Sequence, residues 1–117
     1  MGRLVPARVS EIVFDCAEPA ALARFWAALL GGEPVEREPD WAYVDPPGFV
    51  RMAFQRVPEG KQVKNRLHLD LEADGITDAS AAAVRLGASL VGGIVSDEQG
   101  SFQVLRDPEG NEFCFCE

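Results

Sequence analysis

The chain has 117 residues, of which 47% are hydrophobic and 26% are charged, and its net charge is −8. This length allows one domain with one core, and the composition excludes a disordered chain. The negative charge argues against nucleic acid and against an anionic membrane surface as partners.

The first half of the chain is predicted to fold as a strand, a helix and three further strands. Residues 10–16 alternate apolar and polar side chains, as a half-buried strand does. Leu22, Trp26 and Leu29 then recur at helical spacing, and a Gly-Gly pair ends that helix. Short strands are predicted at 34–37, 41–45 and 49–57, with an Asp-Pro-Pro-Gly turn before the last.

The second half repeats this order. A strand is predicted over residues 65–73 and a helix over 76–88. The helix-ending glycines Gly31 and Gly87 lie 56 residues apart, and Asp45 and Asp107, which open the two Asp-Pro-x-Gly turns, lie 62 apart. Further strands are predicted at 89–95, 101–106 and 111–116. The recurrence indicates a duplicated β-α-β-β-β module.

We therefore predict a single α+β domain over residues 1–117. Its first module would span about 8–57, a polar connector about 58–64, and the second module about 65–117. One helix can cover only one face of each sheet, and that face must be apolar. Two duplicated sheets that meet edge to edge would leave their other faces lining a concave surface.

His68, the only histidine, belongs to the set of polar residues predicted on these open faces. An imidazole can serve as a general acid or base without a metal, and Asp70 follows it on the same side of the strand. A histidine on a polar strand face is also an ordinary hydrogen-bonding residue. The other candidates on the open faces are Glu11, Arg51, Gln55, Arg66 and Cys114.

Two further features of the sequence have both a functional and an ordinary interpretation. Arg51 and Arg66 could hold a carboxylate or phosphate, or they could simply balance an acidic surface. Cys114 and Cys116 share a strand face, and such a pair either forms a metal or redox site or consists of small buried thiols. The three cysteines of the chain cannot all pair, so we expect a reducing, cytoplasmic location.

Three stretches carry a resemblance to a known family: VFDCAEPAALARFWAALLG, FQRVPEGKQVKNRLHLDLEAD and LRDPEGNEFCFC. Together they resemble the vicinal oxygen chelate superfamily, the glyoxalase/bleomycin-resistance/extradiol-dioxygenase group, and within it the glyoxalase-like domains. The resemblance spans about residues 9–116. It implies two βαβββ modules that form a concave, partly open mixed β-sheet barrel with the helices outside, and it implies a homodimer.

The resemblance also implies a place for a divalent metal. Enzymes of the superfamily hold the ion with one side chain each from the first, fourth, fifth and eighth strands, usually histidine and glutamate. Only His68 keeps a usual residue type, and a thiol suits magnesium or manganese poorly but suits zinc. We therefore expect no metal cofactor, with zinc favoured if an ion binds. The corresponding positions here are Glu11, Gln55, His68 and Cys114.

Two functions follow from the resemblance, and both have a small organic molecule as the partner. The leading hypothesis is a glyoxalase-like lyase or isomerase with His68 and Glu11 as catalytic residues. The alternative is a non-catalytic protein that sequesters an antibiotic or metabolite, as bleomycin-resistance proteins do. The sequence leaves open whether the protein is an enzyme. The predicted substrate-binding residues are Gln55, Asp70, Arg51, Arg66 and Cys114.

Overall fold

The computed structural model describes residues 8–117, which divide into two compact units with the boundary between Pro58 and Glu59. Each unit consists of a four-stranded mixed sheet and one helix, in the order β-α-β-β-β. The predicted α+β class and the two βαβββ modules are confirmed, and neither sheet closes into a barrel. Among the described residues, no helix is long and apolar enough to cross a membrane.

The first unit has the strand order β1-β4-β3-β2. Strand β1 runs parallel to β4, and the other neighbours are antiparallel. The register places Glu11 beside Arg51 and Asp15 beside Gln55. The elements are β1 Glu11–Cys16, α1 Pro19–Leu30, β2 Val35–Glu38, β3 Trp41–Val44 and β4 Arg51–Arg56.

The core of the first unit lies between α1 and the apolar face of its sheet. Proline suits the first turn of α1, at Pro19, because no backbone N–H is needed there. Trp26 is 1% exposed, as its helical spacing predicts. The ring of Phe14 lies 6.1 Å from Trp26 and 5.5 Å from Phe54, and both pairs are stacked. This aromatic contact fixes which face of the sheet remains open.

The second unit has the equivalent strand order, β5-β8-β7-β6. Strand β5 runs parallel to β8, and β7 is antiparallel to both of its neighbours. Ile76 and Ala83 of α2 are buried, as are Leu105 and Phe113 of the sheet. The elements are β5 Leu69–Glu72, α2 Ile76–Leu86, β6 Ser89–Asp97, β7 Gly100–Arg106 and β8 Glu112–Cys116.

The strand predicted over residues 65–73 is shorter in the structure, where β5 covers only Leu69–Glu72. Within residues 8–117 its neighbour in the sheet is β8 alone, and the first paired residues are Leu69 and Phe113. Residues 65–68 therefore precede the ladder, and Asn65 is held instead by the side chain of Glu112. Residues 69–72 alternate in burial as predicted, but His68 stands immediately before the strand.

The repeated motifs that predicted the duplication lie against each other in each unit. A Cβ placed on Gly31 would lie 3.2 Å from Pro47, and one placed on Gly87 would lie 3.3 Å from Pro108. Both glycines have positive φ angles, 95° and 121°, which side chains rarely adopt. Each helix end thus packs against a proline of an Asp-Pro-x-Gly turn, at the third position of the first turn and the second position of the other.

Candidate functional site

The open face of the second sheet forms a cavity of about 590 Å³, lined only by residues of the second unit. Its apolar floor comes from neighbouring strands whose alternate residues face away from α2. Phe102 and Val104 face the cavity, whereas the alternate residues Gln103 and Leu105 are buried on the helix side. The members of this apolar floor are Val91, Phe102, Val104, Cys114 and Cys116.

Gln103 supports the edge of the cavity from the helix side of the sheet. Its side-chain nitrogen donates to the backbone oxygens of Val104 at 2.8 Å and Gly92 at 3.1 Å, and lies 3.4 Å from that of Val91. Strand β6 shifts its register between Val91 and Val95. The buried amide of Gln103 therefore links β7 to the irregular stretch of β6.

His68 and Asp70 stand together on the cavity wall. His68 Nδ1 lies 2.9 Å from Asp70 Oδ1, and the two side chains are 47% and 58% exposed. The residues are two positions apart in extended chain, which puts both on the same side. The Asp70 carboxylate favours the neutral imidazole tautomer with the proton on Nδ1, because that N–H can donate to it. Nε2 is then left as a proton acceptor.

Cys114 lies directly beside Asp70, because the parallel register of β5 and β8 pairs the two residues. Burial, followed by the negative charge of Asp70, raises the pKa of the Cys114 thiol to about 11. The same two causes, in the same order, raise the pKa of Cys116. Both thiols are therefore protonated near neutral pH, which makes them part of the apolar floor rather than nucleophiles.

One ligand atom each from His68, Asp70 and Cys114 can be chosen so that all three lie within 4.8 Å of one another. A nitrogen, a carboxylate oxygen and a thiol form a donor set that fits zinc better than magnesium or manganese. The raised pKa of the thiol means that an ion must displace a proton to bind. The second unit thus contains a metal-ligand group that fits a divalent ion of zinc type, with Asp70 as an unpredicted member.

The other predicted site residues of the first unit lie on the open side of its sheet. Glu11 Oε1 is buried and has no hydrogen-bond partner among the described residues. Arg51 makes two hydrogen bonds to Asp45, at 2.9 and 3.1 Å, and its guanidinium lies 3.8 Å from the centre of the Tyr43 ring. Gln55 is exposed beside Trp41. The guanidinium of Arg51 is therefore already engaged.

The structure brings together His68, Asp70 and Cys114 within the second unit. Arg66 is exposed and does not line the described cavity. The meeting of Glu11 and Gln55 with His68 and Cys114 stays a prediction.

Sequence reasoning missed the polar residues that the β6–β7 turn and the end of β8 bring to the cavity. Asp97, Gln99 and Ser101 come from the turn and its flanks, and Glu117 follows β8. Backbone hydrogen bonds in both directions between Ser101 and Glu117, each 3.0 Å long, join these segments. No local pattern marks such residues, because their place depends on pairing between distant parts of the chain.

Comparison with known proteins agrees with this architecture. Residues 11–116 match the family model of the glyoxalase-like domain. The chain belongs to this family. The resemblance to the vicinal oxygen chelate superfamily is thereby confirmed. No curated protein matches this glyoxalase-like domain significantly in sequence.

Solved structures share the fold of this glyoxalase-like domain at low sequence identity. A glyoxalase/bleomycin resistance protein/dioxygenase family enzyme from Burkholderia phytofirmans PsJN is 20% identical, with a TM-score of 0.78 over 94% of this chain and 98% of that one. A glyoxalase-related enzyme from Fulvimarina pelagi is 19% identical, with a TM-score of 0.71 over 93% and 86%.

A fosfomycin resistance protein, FosX from Listeria monocytogenes, is a more distant relative. It is 11% identical, with a TM-score of 0.76 over 96% of this chain and 90% of that one. Its structure is a mutant complexed with Mn(II) and 1S,2S-dihydroxypropylphosphonic acid. Identities this low establish the shared fold alone.

Proposed function

We propose that this glyoxalase-like domain binds a small organic molecule in the cavity of the second unit and that His68 transfers a proton in it. The observation that carries the proposal is the 2.9 Å contact between His68 Nδ1 and Asp70 Oδ1 on the cavity wall. A base oriented by a carboxylate is a recurrent arrangement for general acid–base catalysis. The apolar floor provides a surface on which the ligand can be held.

The chemistry that this pair supports is proton transfer next to a carbonyl group. His68 Nε2 would take a proton from the carbon beside the carbonyl, and the electron pair of the broken C–H bond would move onto the carbonyl oxygen. Asp70 would stabilise the imidazolium that forms. In an α-hydroxycarbonyl substrate, return of the proton to the former carbonyl carbon, with the hydroxyl proton of the first carbon moving to the carbonyl oxygen, completes an isomerisation. In a substrate with a leaving group on the β carbon, the electron pair instead re-forms the carbonyl group and a carbon–carbon double bond as the leaving group departs, which completes a lyase reaction.

Glu11 and Gln55 enter the proposal as ligand-contacting groups on the open face of the first sheet. The buried Oε1 of Glu11 supports this role, because it is an acceptor without a donor in the described chain. Glu11→Gln should therefore weaken turnover or binding of a substrate that the protein accepts. Unchanged kinetics in the Glu11→Gln variant would show that Glu11 does not contact the substrate.

Zinc is the ion that we propose if a metal takes part. His68, Asp70 and Cys114 would hold it, since the three ligand atoms already lie within 4.8 Å of one another. A bound zinc ion would act as a Lewis acid on a substrate oxygen. His68 would then be a ligand and could not also accept a proton at the same nitrogen.

The experiment that tests the proposal compares wild type with His68→Ala and Asp70→Asn. Purified protein is assayed with 2-oxoaldehydes and their thiol adducts, which carry an acidic C–H beside a carbonyl. Loss of the base should lower kcat by about 10²- to 10⁴-fold, and Asp70→Asn should lower it less. Binding is followed separately by amide chemical shifts of Phe102 and Val104.

Two outcomes would contradict the catalytic part. Turnover that survives His68→Ala unchanged would show that His68 is not the base. Ligands that shift the cavity amides without any turnover would indicate the alternative function, sequestration of a small molecule. A panel that leaves those amides unmoved would contradict binding at this cavity.

A further inference from the structure

The cavity of the second unit combines its apolar floor with an excess of carboxylates. Asp70, Asp97 and Glu117 line it, and we call these three residues the acidic wall. An exposed carboxylate alone signifies little, because water solvates it well. Carboxylates beside an apolar floor of aromatic and aliphatic side chains provide two kinds of contact for one amphipathic ligand.

Cationic side chains compensate this charge only in part. Lys64 is the only lysine or arginine among the described residues that line the cavity. Glu112, a fourth lining carboxylate, accepts a hydrogen bond from Asn65 N and lies 3.5 Å from Lys61 Nζ. Its charge is therefore matched locally.

Asp97 and Glu117 of the acidic wall have no comparable lysine or arginine partner among the described residues. Within residues 8–117, no lysine or arginine nitrogen lies within 4.0 Å of the carboxylates of Asp97 or Glu117. Among the described residues, Asp70 contacts one side chain that can carry a positive charge, His68, and His68 is cationic only when it is protonated. The cavity thus keeps an excess of negative charge in a protein whose net charge is already −8.

Backbone contacts hold both unmatched carboxylates in place. Asp97 Oδ1 accepts a hydrogen bond from Gln99 N at 2.8 Å, and Glu117 Oε2 accepts one from Gly75 N at 3.1 Å. The turn before β7 lies close to the end of β8, and a Cβ on Gly100 would collide with the backbone oxygen of Glu117. Each carboxylate therefore has one oxygen held by a backbone N–H, at the β6–β7 turn for Asp97 and at the start of α2 for Glu117, and one oxygen without a hydrogen-bond partner among the described residues.

We propose that the cavity selects small organic cations, in which an ammonium group is carried on an aromatic or aliphatic body. The body would lie on Phe102 and Val104, and the ammonium group would face the acidic wall. This inference rests on the proposed function, because it presumes that the cavity binds a ligand. It extends that function by naming the charge class of the ligand.

The test uses three probes of similar shape and different charge: 2-phenylethylammonium, 2-phenylethanol and 3-phenylpropanoate. Their dissociation constants are measured at pH 7 and low ionic strength, from the amide shifts of the cavity residues. The ammonium ion should bind at least about fivefold more tightly than the alcohol, and the carboxylate should bind most weakly. Added salt should weaken binding of the ammonium ion and leave the alcohol unchanged.

Asp97→Asn and Glu117→Gln identify the groups responsible, because each amide keeps the oxygen that the backbone N–H contacts. Each variant should weaken binding of the ammonium ion roughly two- to fivefold and leave binding of the alcohol unchanged. Asp78→Asn is the matched control, since it removes the same charge from α2, which packs on the opposite face of the sheet. This control should leave all three dissociation constants unchanged.

The outcomes separate this inference from the proposed function. If the alcohol or the carboxylate binds the cavity as tightly as the ammonium ion, the charge preference is wrong although cavity binding stands. Equal losses of affinity for the ammonium ion in Asp78→Asn and Asp97→Asn would also contradict the charge preference. If none of the probes shifts the cavity amides, the binding site itself is contradicted and the inference falls with it.

Discussion

At the scale of single residues, the site shows how neighbours change the chemistry of a side chain. Asp70 lies directly beside Cys114 on the neighbouring strand. A buried thiol next to a negative charge keeps its proton. A reactive thiolate at Cys114 is therefore disfavoured, which is why our proposal assigns the chemistry to His68 and Asp70.

The first prediction concerns alkylation of Cys114. A thiol with a pKa of about 11 forms about a hundredfold less thiolate at pH 8 than one with the ordinary value of 9.0. In a Cys116→Ser background, iodoacetamide should therefore modify Cys114 about a hundredfold more slowly than a free thiol, as followed by peptide mass spectrometry. Asp70→Asn should lower the pKa and speed the reaction, and Asp78→Asn should not. A wild-type rate equal to that of a free thiol would contradict the raised pKa.

The second prediction concerns zinc at the same residues. Binding through Cys114 must displace the thiol proton, so affinity should rise about tenfold for each pH unit below the thiol pKa. Titration against a chromophoric chelator at pH 7 and pH 8 measures this slope, and Cys114→Ser should remove it. Zinc binding with the same affinity at both pH values would show that the thiol is not a ligand.

At the scale of elements, the two Asp-Pro-x-Gly turns have the same sequence pattern and different supports. Asp107 is 3% exposed, and its Oδ1 accepts hydrogen bonds from Glu109 N and Asn111 N, both 2.9 Å long. Asp45 has a side chain that is 59% exposed, and it pairs with Arg51. The pattern predicted both turns, but it could not distinguish a buried aspartate from an exposed one.

The third prediction uses this difference. Asp107→Ala should lower the free energy of unfolding by about 1–3 kcal/mol, because it leaves the part-buried N–H groups of Glu109 and Asn111 without an acceptor. Asp45→Ala should have a smaller effect, because an exposed ion pair contributes little. Urea unfolding followed by circular dichroism measures both values. A larger loss for Asp45→Ala would contradict this account of the turns.

The sheet edges show the same dependence on pairing. The prediction that residues 65–73 form one strand was wrong at its start, because the pairing with β8 begins only at Leu69 and Phe113. The alternation of apolar and polar residues continues outside the ladder, so the sequence alone could not mark the boundary. His68 nevertheless keeps the side that alternation assigned to it, beside Asp70.

At the scale of the whole molecule, the duplicated plan is readable because each module repeats its landmarks in the same order. The boundary between the two compact units lies between Pro58 and Glu59, close to the predicted start of the connector. The predicted extents of the modules and connector remain our proposal. The same holds for the homodimer, which the family resemblance suggests.

The fourth prediction is this homodimer. Light scattering after gel filtration should give twice the mass of one chain, and the mass should fall towards that of one chain on dilution. The physical reason is that dimerisation is an equilibrium set by protein concentration. A mass of one chain at all concentrations would contradict it.

The sequence by itself determined the order of the elements, the duplication and the family of this protein. Those properties follow from local regularities: alternation in strands, spacing in helices, and glycine or proline at their ends. Only the tertiary structure decided that Asp70 meets Cys114 and that Asp97 and Glu117 join the cavity. Strand register and the meeting of a turn with a distant strand end decide such contacts, and both arise from long-range pairing that no local pattern records.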